Sequence, residues 1–211
     1  MDLIQYLIKN YGYNEPIFSE DLSAILNMKG GTLRQNLKRL TDRKQLERYE
    51  DGIYYIPKPN SLLKVNSINV NKVINKKYLS NNNKTIGYRS GISFANELAL
   101  TTQTAATLEL VTNRETNWKR PVKLRNFNLI LRKPRVKIND TNYKLLQLLD
   151  LLTNIEKFSE KPLNNTFQKI LNYAKDIKLD SAEVESILSQ YPAKTKLKAY
   201  ESGLIYELTR R

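Results

Sequence analysis

The sequence predicts an α+β protein with a small helical head that ends in a β-hairpin and a larger body of helices and strands. Three observations predict this class. Residues 1–58 show helical spacing followed by one hairpin, residues 85–135 show short strands around a single helix, and the apolar spacing after residue 141 is helical. Because 211 residues suffice for two modest domains, we expect a head at 1–60 and a body at 61–211, mixed over 61–140 and helical over 141–211.

The first helix is predicted from Asp2 to Tyr11. Leu3, Tyr6 and Leu7 recur at the spacing of one helical face, and Gly12 is a typical residue just after a helix end. The first element is therefore a short amphipathic helix that stops at a glycine.

A second and a third helix are predicted around a sharp turn. Ser19 precedes two acids and an apolar run, so its hydroxyl is expected to cap the second helix. Met28, Lys29, Gly30 and Gly31 are expected to form the turn, since glycine can take positive φ without steric cost. Thr32 is then expected to cap the third helix.

The third helix has an apolar stripe and a polar face. Leu33, Leu37 and Leu40 share one side, which leaves the intervening residues directed away from the core. Arg and Gln side chains make bidentate contacts to guanine and adenine, and Lys or Arg neutralises phosphate. The predicted groove-reading residues are Thr32, Arg34, Gln35, Lys38 and Arg39.

A Tyr-rich hairpin completes the head. Residues 46–50 and 53–56 have the composition of strands joined by Asp51-Gly52, a pair that favours tight hairpin turns. This order of elements predicts a winged helix-turn-helix that binds double-stranded DNA. The predicted wing and flanking contacts are Lys29, Arg43, Arg48, Tyr54 and Lys58. A dimerisation or docking module that does not bind DNA is the alternative for such a unit.

Composition narrows the chemistry. The chain has no Cys and no His, which excludes disulfides and every catalytic site built on a thiol or an imidazole. We expect no enzymatic activity, no cofactor and no metal, although composition leaves a carboxylate-held magnesium site open. No apolar run approaches the length of a membrane span and the N-terminus does not resemble a signal sequence, so we expect a cytoplasmic protein without a membrane partner.

The body is predicted in two parts. Residues 61–79 suggest a connecting helix with a loop interruption, and 81–84 a surface loop. Strands are expected at 87–88, 107–112 and 122–132, with period-two alternation, and a helix at 90–98. A deeply buried helix with leucines from Leu145 to Leu152 follows, then helices near 166–176, 181–191 and 194–208. The apolar stripe of the last helix is expected to pack within the chain, with a partner-binding face as the alternative.

The positive charge is concentrated in the middle of the chain. The formal net charge is +14, yet residues 1–60 carry 9 Lys and Arg against 8 Asp and Glu, whereas residues 61–140 carry 15 against 4. We expect a patch that follows a phosphate backbone and adds affinity but no sequence choice. Its members are Lys119, Arg120, Lys123, Arg125, Arg132, Lys133 and Arg135. The alternatives are a generally basic surface with Trp118 in the core, and an RNA-binding or protein-docking module.

Several motifs carry a family resemblance over about residues 1 to 155. In the body they are Gly87-Tyr88-Arg89-Ser90-Gly91, Phe94-Ala95-Asn96, Leu100-Thr101-Thr102-Gln103 and Val111-Thr112-Asn113. In the head they are Phe18-Ser19-Glu20-Asp21-Leu22 and Gly52-Ile53-Tyr54-Tyr55-Ile56-Pro57. Together they resemble the antitoxin family of the AbiE-type (type IV) abortive-infection toxin-antitoxin systems.

The resemblance implies an antitoxin function, which the spacing and charge of the residues alone do not indicate. Such antitoxins consist of an N-terminal winged helix and a C-terminal antitoxin domain, and they repress their own operon at inverted repeats in the promoter. They also counteract a nucleotidyltransferase-like toxin in phage defence, without a stable complex between the two proteins. The resemblance gives Arg89 and Gln103 no catalytic role.

Overall fold

The computed structural model describes residues 2–59, 68–158 and 163–210 and has a mixed α+β architecture, as predicted. Its contacts divide the chain into two compact units, Met1–Lys77 and Tyr78–Arg211. The predicted boundary at residues 60 and 61 therefore lies too early in the chain. The reason is that residues 68–77 contact the first unit: Lys72 pairs with Glu15, and Lys76 Nζ donates to the Pro16 carbonyl at 2.9 Å.

The first unit is a small helical bundle with a three-stranded antiparallel sheet in the order β1-β3-β2. Its elements are α1 (Leu3–Tyr11), β1 (Ile17–Phe18), α2 (Ser19–Leu26), α3 (Gly30–Asp42), β2 (Glu47–Glu50), β3 (Ile53–Tyr55) and α4 (Val70–Ile74). The stripe of Leu33, Leu37 and Leu40 is buried as predicted, in a core shared with Leu7 and Leu22. The connecting helix predicted over 61–79 lies outside the described residues up to position 67, and α4 continues as a π-helical turn, Asn75–Leu79.

The helix starts in the first unit differ from the prediction. Phe18 occupies the N-cap position of α2, so Ser19 is already the first helical residue, and no side chain caps the helix from the N-cap position. The turn before α3 uses Asn27, in the left-handed conformation at φ 49°, while Gly30 and Gly31 begin the helix itself. Thr32 therefore lies within the first turn of α3 and does not cap it.

The hairpin between β2 and β3 is confirmed. Gly52 has φ 73°, which favours glycine, and a β-carbon built there would lie 3.1 Å from the Ser19 hydroxyl, a tight contact that would require Ser19 to shift. The pairing shifts register between Arg48 and Glu50, which places a bulge at Tyr49.

The second unit is a four-stranded sheet covered by helices. Its elements are β4 (Ser80–Asn81), β5 (Lys84–Thr85), β6 (Gly87–Ser90), α5 (Gly91–Glu97), β7 (Leu108–Thr112), β8 (Arg120–Leu124), β9 (Phe127–Arg132), α6 (Tyr143–Thr153), α7 (Ile155–Phe158), α8 (Leu163–Ala174), α9 (Ser181–Ser189), α10 (Ala193–Glu201) and α11 (Leu204–Thr209). The sheet order is β6-β7-β9-β8, in which only β7 and β9 run parallel.

Two local expectations for the strands were wrong in detail. The loop predicted at 81–84 is a two-residue turn, with Asn82 and Asn83 both at positive φ, that joins β4 to β5. In β7 the predicted alternation fails because Leu110 and Val111, on opposite faces, are both buried. The sheet is therefore covered on both sides at this point.

The helical part follows the predicted burial. All residues of α6 from Leu145 to Leu152 are buried, as the leucine-rich pattern predicted. The helix predicted over 194–208 is interrupted, because Gly203 takes φ 74° between α10 and α11. Its expected stripe also divides: Leu204 and Leu208 are buried within the unit, whereas Leu197 and Tyr200 are exposed.

Candidate nucleic-acid interface

The exposed side of α3 carries the predicted groove-reading residues. Thr32, Arg34, Gln35, Lys38 and Arg39 are all exposed, opposite the buried leucines. Arg34 Nε donates to the Gly30 carbonyl one turn earlier, at 3.3 Å, so this side chain lies along its own helix. The face therefore presents three cations and two neutral hydrogen-bonding groups, the residue types that contact phosphates and base edges.

The predicted flanking residues differ in their availability. Lys29 and Arg43 are exposed at the two ends of α3, and Lys58 is exposed after β3. Arg48 pairs with Asp51 across the hairpin turn. Tyr54 is only partly exposed and packs against the core of the first unit. Tyr54, which was predicted as a wing contact, thus packs part of its side chain against the core of the first unit.

Part of the predicted basic patch lies on the β8–β9 hairpin and its flanks. Lys119, Lys123, Arg125 and Lys133 are exposed, and Arg125 adopts φ 49° in the two-residue turn between the strands. Phe127, at the start of β9, is 47% exposed beside them. These residues form an open cationic surface.

Arg120 is anchored by a buried acid that sequence reasoning missed. Its Nε and Nη2 atoms lie 2.9 and 2.8 Å from Glu115 Oε2, and the Glu115 side chain is only 3% exposed. Glu115 Oε1 accepts from the backbone amides of Thr116 and Asn117 at 3.0 and 2.9 Å. Burial opposes ionisation of this carboxyl, but the amides and the guanidinium outweigh burial and lower its pKa.

Arg132 does not belong to an open patch, which corrects the prediction. Its side chain is 17% exposed, and its Nη1 lies 2.6 Å from Glu109 Oε1 while Nη2 lies 3.4 Å from Asp150 Oδ2. Tyr88 Oη donates to the same Asp150 oxygen at 3.0 Å. Burial raises the pKa of the Asp150 carboxyl, although the Arg132 guanidinium and the Tyr88 hydroxyl oppose the shift. Arg132 is thus the centre of a partly buried ionic network between the sheet and α6.

Arg135 and Trp118 form a stacked pair at the surface. The Arg135 guanidinium carbon lies 4.6 Å from the centroid of the Trp118 ring and 5.4 Å from that of Tyr191. Trp118 is 54% exposed, so the alternative that placed it in the core is wrong. Arg135 is only partly exposed and does not extend freely into solvent.

The small number of acids in residues 61–140 is a sequence signal for the carboxylates that pair with its arginines. The four acids of this segment are Glu97, Glu109, Glu115 and Asp140. Three of them form ion pairs with arginines, and Asp140 accepts a backbone amide from Thr85 at 2.6 Å. In a segment with so few carboxylates, each one is a candidate partner for an arginine that the chain must bury.

Metal-binding groups and membrane spans are both absent from the described part of the chain. Across residues 2–59, 68–158 and 163–210, no group of acids is arranged to hold a metal ion, and no helix has the length and apolarity to cross a membrane. No protein-family model matches the chain, and no curated protein matches it significantly.

Proposed function

We propose that the chain is a sequence-specific DNA-binding antitoxin, and that its first unit is a winged helix-turn-helix. The observation that supports DNA binding is the face of α3, where Arg34, Gln35 and Lys38 are exposed opposite a buried leucine stripe. The short α2 precedes it and the β2–β3 hairpin follows it, which is the order in which such domains present a recognition helix and a wing.

In this proposal α3 enters the major groove and chooses the site. Arg34 exchanges its contact with the Gly30 carbonyl for a guanine edge, and Gln35 contacts adenine. Lys38 and Arg39 neutralise phosphates, as does Lys58 beside the hairpin. The exposed lysines of the second unit add backbone affinity that is independent of sequence.

The antitoxin role rests on the resemblance of the head and body motifs to AbiE-type antitoxins. The protein represses its own operon at inverted repeats and counteracts a nucleotidyltransferase-like toxin encoded beside it. Toxin and antitoxin are functional partners without a stable complex. Repression and neutralisation are then separable, because only repression requires the recognition helix.

DNA binding is tested with the chain's own upstream region and a scrambled duplex of equal length, by fluorescence anisotropy. Arg34→Ala and Gln35→Ala are expected to weaken the upstream site by about 1–3 kcal/mol each and to reduce discrimination between the two duplexes. Lys9→Ala is the matched control, since Lys9 is exposed on α1 and its replacement removes charge from the same unit. The proposal is contradicted if the parent and the variants all bind the upstream and scrambled duplexes with equal affinity. It is also contradicted if the parent binds structured RNA more tightly than the upstream duplex.

The antitoxin role is tested by co-expression with the product of the neighbouring gene. The parent chain is expected to restore growth and to silence an operon reporter, whereas Arg34→Ala restores growth with the reporter active. Failure of the parent to restore growth refutes the antitoxin role and leaves the DNA-binding result standing.

A further inference from the structure

A cleft of about 340 Å³ lies within the second unit, between the sheet and helices α6 and α7. Ser90 and Gly91 line it where β6 meets α5, Trp118 and Lys119 from the loop before β8, and Lys157 from α7. Its volume is at the lower end of the range for small-molecule pockets, so it suits a ligand the size of one nucleotide.

The cleft has an excess of positive charge. Four cations line it, Lys119, Arg132, Arg135 and Lys157, against two acids, Glu109 and Asp150. Arg132 contacts both acids. Among the residues that the structure describes, the other three cations form no ion pair. A ligand with about two negative charges, such as a phosphate monoester at neutral pH, would balance this excess.

Arg135 is held in the cleft by aromatic rings, which leaves its donors unused. The rings of Trp118 and Tyr191 lie 4.6 and 5.4 Å from its guanidinium carbon. Its Nε is buried and has no hydrogen-bond partner within the described part of the chain. A planar guanidinium fixed by stacking is pre-organised to bind phosphate through two parallel N–H groups.

Trp118 supplies an aromatic surface at the rim. It is the only tryptophan of the chain, and more than half of it is exposed although it is a large apolar side chain. The guanidinium carbons of Arg135 and Arg132 lie 4.6 and 5.9 Å from the centroid of the ring, and its exposed part is available to a planar group. Bases stack on such rings whatever their identity, because every base has a π-face.

We propose that this cleft binds a nucleoside monophosphate, either free or as the phosphorylated end of a strand. The base stacks on Trp118, and the phosphate is bound by Arg135 with Lys119 and Lys157. The Arg132 network forms the floor of the cleft, and its ion pairs neutralise the two acids beside the phosphate. The site is independent of α3 and of the proposed reading of duplex DNA.

The emission of Trp118 provides a direct readout with the full chain, because no other tryptophan contributes. Titration with AMP, GMP, CMP and UMP is expected to quench it saturably. Adenosine, ribose 5-phosphate and inorganic phosphate are expected to bind at least about tenfold more weakly, since each lacks one of the two contacts. A short single strand with a 5′-phosphate, compared with the same strand without it, distinguishes a strand end from a free nucleotide. Absence of saturable quenching by every nucleotide and strand, or equal affinity for inorganic phosphate, would overturn the proposal.

Charge-matched variants distinguish a site from a generally basic surface. Lys157→Gln and Arg135→Gln are expected to weaken AMP binding by about tenfold each, the size of one charge-assisted hydrogen bond. Lys133→Gln removes an exposed cation that does not line the cleft, and is expected to leave affinity unchanged. Lys157 is exposed, so its variant is informative even if Arg135→Gln misfolds. The site is refuted if Lys157→Gln binds AMP as tightly as the parent, or if Lys133→Gln loses as much AMP affinity as Lys157→Gln. Arg34→Ala, in the first unit, should leave AMP binding unchanged.

Discussion

Replacing Glu115 by Gln tests how much one buried carboxylate stabilises the loop that carries Trp118. The carboxylate accepts three hydrogen bonds of 2.9–3.0 Å, two from backbone amides and one from Arg120 Nε, and Arg120 Nη2 lies 2.8 Å from it. A hydrogen bond to a charged group contributes about 1.5–3 kcal/mol, roughly twice a neutral one, and Gln keeps one neutral acceptor for the amides. Arg120 is 50% exposed, so its ion pair adds only about 0.2–1 kcal/mol. The free energy of unfolding should therefore fall by about 2–3 kcal/mol.

The pH dependence of this loss has a definite sign. The folded-state pKa of Glu115 lies below its usual value of 4.5, so between the two values the unfolded chain binds more protons than the folded protein. The contribution of Glu115 is thus complete above about pH 4.5 and decreases as the pH falls through the folded-state pKa. Because a protonated carboxyl resembles an amide, the difference between parent and Glu115→Gln should shrink in acid.

Urea unfolding at a series of pH values, followed by Trp118 emission, measures both effects. Trp118 lies three residues after Glu115, so its emission reports on the loop and its unit. Glu185→Gln is the matched control, because Glu185 is exposed on α9 and the same chemical change there should have little effect. The reasoning fails if Glu115→Gln is as stable as the parent at pH 7, or if its deficit is constant down to acid pH.

Three further changes test other parts of the structure. Lys123→Glu should weaken binding to cognate and scrambled duplexes alike, and it should lower the salt slope of log affinity by about 0.9 for each phosphate that is no longer neutralised. An unchanged slope would show that the patch does not contact DNA. Leu37→Ala should cost the first unit about 2–5 kcal/mol in denaturant unfolding, because Leu37 is fully buried, and a smaller loss would mean that its site collapses. Gly203→Ala should lower stability by about 1–2 kcal/mol in thermal denaturation, since φ is 74° there; equal stability would show that a helix can continue through this position.

The elements with local periodicity were predictable from sequence. The stripe of Leu33, Leu37 and Leu40 and the leucine-rich α6 are buried because a regular pattern of large apolar groups leaves one way to remove them from water. The Asp51-Gly52 turn was equally predictable, since few residues other than glycine accept its φ. These features depend only on neighbours along the chain.

Helix starts depend on single backbone angles that periodicity does not encode. Ser19 has a good capping side chain, but its amide donates to the Gly52 carbonyl at 2.9 Å, so the first residue of α2 is tied to the hairpin turn and does not take the N-cap position. Asn27 closes α2 in the left-handed conformation, which removes the need for a glycine turn before α3. The start of α2 thus depends on a segment distant in the sequence, and the start of α3 on the conformation of one asparagine.

The candidate interface was predicted least well where a side chain meets a distant element. The sequence predicted Arg132 as a member of an open basic patch, at the end of a strand with period-two alternation. In the structure α6 supplies Asp150 to this residue, and the strand beside β9 supplies Glu109. A helix that begins 11 residues after the strand converts the predicted surface cation into a partly buried ion pair.

The effective cationic surface of the second unit is therefore smaller than the cluster of charges along the chain. Of the seven predicted patch residues, Arg132 is paired with Glu109 and Asp150, Arg120 is paired with Glu115, and Arg135 is stacked on Trp118. Arg120 is half-exposed in its pair, and the remaining exposed members are Lys119, Lys123, Arg125 and Lys133. At about 0.9 per neutralised phosphate on duplex DNA, these four residues give a salt slope of at most about 3.6 from the predicted patch. A measured slope well above that value requires cations outside the patch to neutralise further phosphates. If Lys38→Ala and Arg39→Ala lower the slope, those phosphates are assigned to α3 in the first unit.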